Sequence, residues 1–234
     1  MRYHLSVMVL VLFFFPTFLF AETSVSGRVV FEGVPPTSIT YETKSNRAVC
    51  GDVKEVRPLI LGDRGGVANA VVSIVGVQRQ SAPAPLEGLL DQVKCEFVPH
   101  VQILPVGSTL SITSSDPILH NTHGVYEDGT TAFNVPVPVT GMKVPKRITK
   151  PGVVKIRCDA GHTWMNAYVV GVDHPDYALT DENGYFKIDR VPPGTYKIEI
   201  WHEWLGIHRE PITVGEAREP VSIVLKTRSE TKST

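Results

Sequence analysis

Apolar and polar residues alternate with a period of two along most of this chain. Val25, Gly27, Val29 and Phe31 alternate with Ser26 and Arg28. The same rhythm returns in Leu110-Ser111-Ile112, in Tyr196-Lys197-Ile198-Glu199-Ile200 and in Val221-Ser222-Ile223. That spacing lines one side of an extended backbone with apolar groups and predicts strands. Ala70 to Val77 is a more continuous, β-branched run, which predicts a strand inside a sandwich. Turn chemistry separates the runs: Asp63-Arg64-Gly65-Gly66, Asp128-Gly129, Asn183-Gly184 and Pro192-Pro193-Gly194. Only Leu86, Leu89, Leu90 and Val93 have helical spacing, and with Gly88 among them they predict at most a few turns. The expected fold class is all-β.

Composition narrows the function classes. With 234 residues, 42% of them apolar and 20% charged, the chain is of ordinary globular make-up, sized for one large domain or two small ones. Its formal net charge of -1 gives no basic excess, so no nucleic-acid partner is expected. Arg2 and His4 precede an apolar run from Leu5 to Phe20, broken only by Ser6, Pro16 and Thr17, and Ala21 can precede a cut. Residues 1–21 therefore predict a secretory signal peptide, and a mature protein in the periplasm or outside the cell. An uncleaved anchor is the alternative, and it would be the only link to a membrane; the run falls short of the ~20 residues a span needs.

Two separated stretches look like halves of one module. Thr180 to Ile188, followed by Val191-Pro192-Pro193-Gly194-Thr195-Tyr196, reads as a hairpin and a second turn. It resembles the second half of the carboxypeptidase regulatory-like, transthyretin-type β-sandwich. Val25 to Gly33 and Gly65 to Val72 fit the first half, with a longer Pro35–Pro58 segment between them than is usual in that family. The arrangement expected is a discontinuous sandwich, residues 22–90 and 173–228, interrupted by an inserted domain over 91–172, with a disordered tail at 229–234. Insertion is tolerated where chain ends meet at an exposed tip. Two independent domains in series are the alternative.

The insert carries the chemistry. Val154, Ile156 and Cys158 alternate with Lys155 and Arg157, so one strand delivers a thiol to the edge of a core. Asp159-Ala160-Gly161-His162-Thr163-Trp164-Met165 follows, giving Cys-x3-His-x2-Met on a short loop, and His120-Asn121 stands upstream. A thiolate, two imidazoles and a thioether are the ligand types that hold copper in a trigonal site with a weak axial sulfur. Residues 97 to 170, with Phe97-Val98-Pro99, Val106 to Leu110, Ser115-Asp116, His120-Asn121 and the 158–165 loop, resemble a cupredoxin. The resemblance implies a Greek-key β-barrel or sandwich and one copper ion, with His120, Cys158, His162 and Met165 as its ligands. Single-copper members more often place two or four residues between Cys and His. Three residues match the binuclear loop of cytochrome oxidase, whose second Cys falls here at Val154.

Cys50 and Cys95 are expected to pair in an oxidising compartment, leaving Cys158 for the metal; a bond from Cys158 to one of them is the competing arrangement. On a regular strand His123 faces away from His120, as a solvated, satisfied or supporting group, or as a substitute ligand. His100 reads as structural, with a second metal as the other option. Trp201-His202-Glu203-Trp204 reads as an interface filler and His174 as a linker residue, and Trp164 either shields the metal or offers contact area to a partner. The functional expectation is a secreted or periplasmic one-electron carrier that meets a redox partner protein. Copper handling with a donor or acceptor protein is one alternative, and a non-redox binding module on a cupredoxin core is another. No enzymatic activity is expected, since no nucleophile triad, phosphate loop or zinc-protease helix is present. Oligomeric state is left open.

Overall fold

The structure is a computed structural model that describes residues 23–215 and 220–226. The proposed signal segment and tail lie outside these residues. Among those described, no helix is long and apolar enough to cross a membrane. β1 (Thr23–Glu32), β2 (Ile39–Glu42), the helical turn α1 (Arg47–Cys50), β3 (Val53–Val56) and β4 (Val71–Val75) come first. β5 (Glu87–Val93), β6 (Glu96–Val98), β7 (Val101–Pro105), β8 (Thr109–Ile112), β9 (His120–Tyr126) and β10 (Thr131–Val137) follow. Next are β11 (Val144–Arg147), β12 (Gly152–Arg157), β13 (Asn166–Val172) and β14 (Tyr177–Leu179). The chain ends with β15 (Tyr185–Val191), β16 (Gly194–His202), β17 (Gly206–Val214) and β18 (Val221–Lys226). The fold is all-β, as the alternation requires.

The strands form four larger sheets and the β2–β3 hairpin. β15-β1-β18 faces β14-β4-β16-β17 across a core that includes Val29, Val72, Ile74, Ile188, Ile198, Ile200 and Ile223. The five-stranded sheet β10-β9-β12-β13-β7 and the four-stranded β11-β8-β5-β6 enclose a second core with Leu90, Leu110, Ile112, Val154, Ile156 and Val169. Pro136 sits on the edge strand β10, where it removes no interior ladder bond.

The expected helix at 86–93 is corrected to a strand. β5 pairs in parallel with β8, Glu87 to Leu90 against Thr109 to Ile112, and antiparallel with β6. Leu90 and Gln92 point inward while Leu86 and Leu89 are exposed, so the leucines do not form one helical face. A Cβ at Gly88 would stand 2.8 Å from Leu104, which fits the close approach of sheets. β5 also runs across residue 90, where the sequence pattern suggested a boundary.

β13 is buried on both faces. Ala167 and Val169 enter the second core, whereas Tyr168, Val170 and Val172 turn the other way, onto Val71 and Trp201. The Trp201 ring meets Tyr168 at 5.3 Å in an edge-on arrangement. Trp201 thus fills the contact between the two sandwiches, and beside it His100 Nε2 hydrogen-bonds Glu203 Oε1.

Candidate metal centre

Three elements converge at one end of the second sandwich. β12 alternates so that Val154 and Ile156 enter the core, and Cys158, just beyond the strand, continues that inward phase. β9 has its even positions inward, so His120 begins the strand facing the same core while His123 points away. β9 and β12 are direct neighbours, with Arg157 opposite His123. The loop after Cys158 turns back through a Met165 N–H bond to His162 C=O of 3.0 Å.

This folding brings together one ligand atom each from His120, Cys158 and His162, all within 4.8 Å of one another. Their relative exposures are 0%, 5% and 1%, and that of Met165 is 2%. The His162 Nδ1 lies 3.6 Å from the Cys158 sulfur, and the two imidazole rings are 4.7 Å apart. His120 Nδ1 is buried with no hydrogen-bond partner, a costly state for a polar atom unless something ligates it. A soft sulfur and two imidazoles, one of them with an orphaned ring nitrogen, suit a copper ion. Met165 lies in the same core.

Burial first, then the charge of His120, holds the His162 imidazole below its usual pKa range, while Asp116 opposes the shift. A neutral ring is the state that ligates a metal. Its far side is covered. The Asn46 side-chain amide stands 3.4 Å from His162 Nε2, and the Trp164 ring packs edge-on at 5.4 Å. Trp164 is itself buried, donates its indole N–H to Cys95 C=O at 2.9 Å and meets Tyr41 at 6.4 Å. It therefore shields the centre; little of its surface is left for a partner.

Several supporting residues escaped the sequence pattern. Asp116 accepts the His120 Nε2–H at 2.8 Å, and its carboxylate also accepts the backbone N–H groups of Lys94 at 2.6 Å and Cys95 at 2.8 Å. Such a carboxylate fixes the ring's tautomer, leaving Nδ1 free for a metal. Asn121 donates its backbone N–H to the Cys158 sulfur at 3.4 Å, and its side-chain oxygen accepts the Asp159 N–H at 3.4 Å. Asp116 and Asn121 stood among the residues of the cupredoxin resemblance, but no periodicity gave the direction of Asp116. For Asn46 the sequence offers no signal, because it arrives from the segment before β3.

The other histidines are accounted for by local partners. His123 Nδ1 pairs with Asp159 at 2.6 Å, and the Arg157 guanidinium, then His123, hold that carboxyl below its usual range. His174 Nδ1 accepts the Asp176 N–H at 3.2 Å. Cys50 and Cys95 form a disulfide, and Cys158 is a free, buried thiol.

No known family model matches the chain, and no curated protein matches it. Solved structures do resemble part of it. A purple cupredoxin from Nitrosopumilus maritimus is 23% identical, covering 36% of this chain and 99% of its own, at a TM-score of 0.32. A Cu-containing nitrite reductase from Thermus scotoductus SA-01 is 24% identical over 42% of this chain and 25% of its own, also at 0.32. An amicyanin mutant in its reduced state is 18% identical over 43% of this chain and 98% of its own, at 0.33.

Proposed function

We propose that the chain is a secreted or periplasmic copper protein whose second sandwich, a cupredoxin-like unit, carries single electrons to and from a redox partner. His120, Cys158 and His162 would hold one copper ion, with Met165 as the weak fourth ligand. The observation that carries this reading is the buried cluster of a free thiol and two imidazoles, one of which leaves its Nδ1 unpartnered. When bound there, copper supplies a one-electron couple. The chain supplies rigidity: Asp116 fixes one imidazole, the Asn121 N–H steadies the sulfur, and Trp164 with Asn46 excludes water from the other ring. A site held this way changes little between oxidation states, which is what fast electron exchange requires. The first sandwich, read as a transthyretin-like unit into which the copper unit is inserted, would act as its platform. No substrate-transforming reaction is assigned.

The test is spectroscopic. Mature protein loaded with Cu(II) should take up one ion and show an intense visible thiolate-to-copper band. Cys158→Ser should abolish the band while keeping the far-UV circular dichroism of the β fold. A colourless Cu(II) form of the wild type would overturn the redox reading. Copper handling is the second reading, favoured by the burial of all four candidate ligands. Slow redox cycling with tight Cu(I) retention would select it over the carrier.

A further inference from the structure

The disulfide stands against the candidate copper site. The Cys50 and Cys95 sulfurs and one His162 nitrogen all lie within 4.8 Å of one another. The Cys95 sulfur is also within 4.8 Å of a His120 nitrogen and an Asp116 oxygen. All of these residues are buried. A bond that only tied the 39–56 segment to the β5–β6 turn would serve equally well anywhere along that contact. Here it abuts both imidazoles.

We propose that this disulfide is the closed form of a second soft-metal site, opened by reduction, in which the Cys50 and Cys95 thiolates and His162 take up one Cu(I) ion. This deepens the copper reading of the first site, because the two positions share His162. The ring has different neighbours at its two nitrogens. Its Nδ1 faces the Cys158 sulfur at 3.6 Å, and its Nε2 faces Asn46 at 3.4 Å, the residue that opens the turn bearing Cys50. Two thiolates with an imidazole, closed to water, favour Cu(I) over harder cations.

The chemistry balances with a dithiol as reductant. Exchange breaks the Cys50–Cys95 bond, and two electrons and two protons pass from the dithiol, which itself becomes a disulfide. Cu(I) binding then releases the two thiol protons and, with the first site also filled, the His162 N–H proton, because a ring that holds an ion at each nitrogen does so as an imidazolate. Copper capacity would thereby follow the thiol state of the compartment: one ion with the bond closed, two with it open.

The experiment uses the full mature chain, oxidised or reduced by dithiothreitol that is then removed under argon. Each form is titrated with Cu(I) against a chromophoric Cu(I) chelator. The oxidised protein should hold one equivalent and the reduced protein two. Cys158→Ala should hold none when oxidised and one when reduced, and Cd(II) bound to the reduced variant should show ultraviolet absorption of two thiolates per ion. Reduced wild type that still holds one equivalent overturns the second site. So does loss of the far-UV circular dichroism on reduction, since the three ligand atoms are then no longer held together. If oxidised wild type binds no copper while reduced Cys158→Ala still binds one, the functional reading above fails and this site stands.

Discussion

Asp116→Asn tests how the protein would set the properties of the proposed copper ion. The Asp116 carboxylate is buried and accepts three N–H bonds, one of them from His120 Nε2. Asparagine keeps the size but loses the charge, and its amide N–H₂ must then face one of those donors. A hydrogen bond to a charged group contributes about 1.5–3 kcal/mol against about 0.5–1.5 for a neutral one, so roughly 1 to 2 kcal/mol of support for the ring is lost. Removal of such an outer partner typically lowers metal affinity about 10- to 100-fold. Cu(II) should bear more of the loss than Cu(I), because the doubly charged ion gains more from the added electron density on the imidazole. If Cu(II) loses ~10-fold more than Cu(I), the midpoint potential rises by about 60 mV, since a tenfold change is ~59 mV for one electron. Chelator competition in both oxidation states and spectroelectrochemical titration measure the two quantities, with the far-UV circular dichroism as a check on folding. An unchanged or lowered potential in a folded, copper-loaded variant would refute the role given to Asp116.

Two more outcomes follow from residues away from the candidate metal site. His202 is pushed down to about 4, chiefly by burial, with Glu203 opposing the shift and His100 adding to it. Its Nδ1 accepts the Trp204 N–H at 3.2 Å, so the neutral ring is the one that fits. With the folded pKa below the unfolded value of about 6.5, its contribution is complete above pH 6.5 and is lost as pH falls toward 4, by roughly 3 kcal/mol. Urea unfolding of metal-free protein across that window should show a shallower acid slope for His202→Gln; equal slopes would refute the assignment. Trp201→Ala should cost about 3–5 kcal/mol by emptying the contact against Tyr168, and leave the visible copper band in place. A shifted band would mean that the two sandwiches are coupled through Trp201.

Much of the fold could be read from the chain because alternation records which face is buried. β1, β4, β8, β12, β16 and β18 all fall where that rhythm or a continuous apolar run predicts. The failure at 86–93 has a specific cause. Leu86 and Leu89 are exposed and Gln92 is buried, with its Nε2 donating to Thr113 C=O at 2.9 Å. A buried, satisfied glutamine and two exposed leucines invert the binary code, and the helical spacing that remains is accidental. At the candidate site, strand phase marked Cys158 and loop spacing marked His162, while His120 was singled out as a ligand by the resemblance of its His120-Asn121 pair to a cupredoxin. Asp116 lies four residues from His120 but on a bend, where no periodicity predicts direction.

The segment between β1 and β4 explains what local pattern cannot reach. Among the described residues its short β2–β3 hairpin pairs only with itself, yet the segment carries Tyr41, Asn46 and Cys50 onto the candidate metal end of the other sandwich. Nothing in its own sequence says where it lies, because its position is set by distant contacts: the bond to Cys95, the Lys54–Glu96 pair at 2.8 Å and the ring of Trp164. A loop leaving the first sandwich is thereby made a wall of the second sandwich's chemistry. The consequence is mechanical as well as chemical. On the proposed copper reading, an electron or a copper ion leaving through the His162 edge would pass this wall, so the exchange rate at that edge would depend on a segment that supplies none of the four proposed ligands.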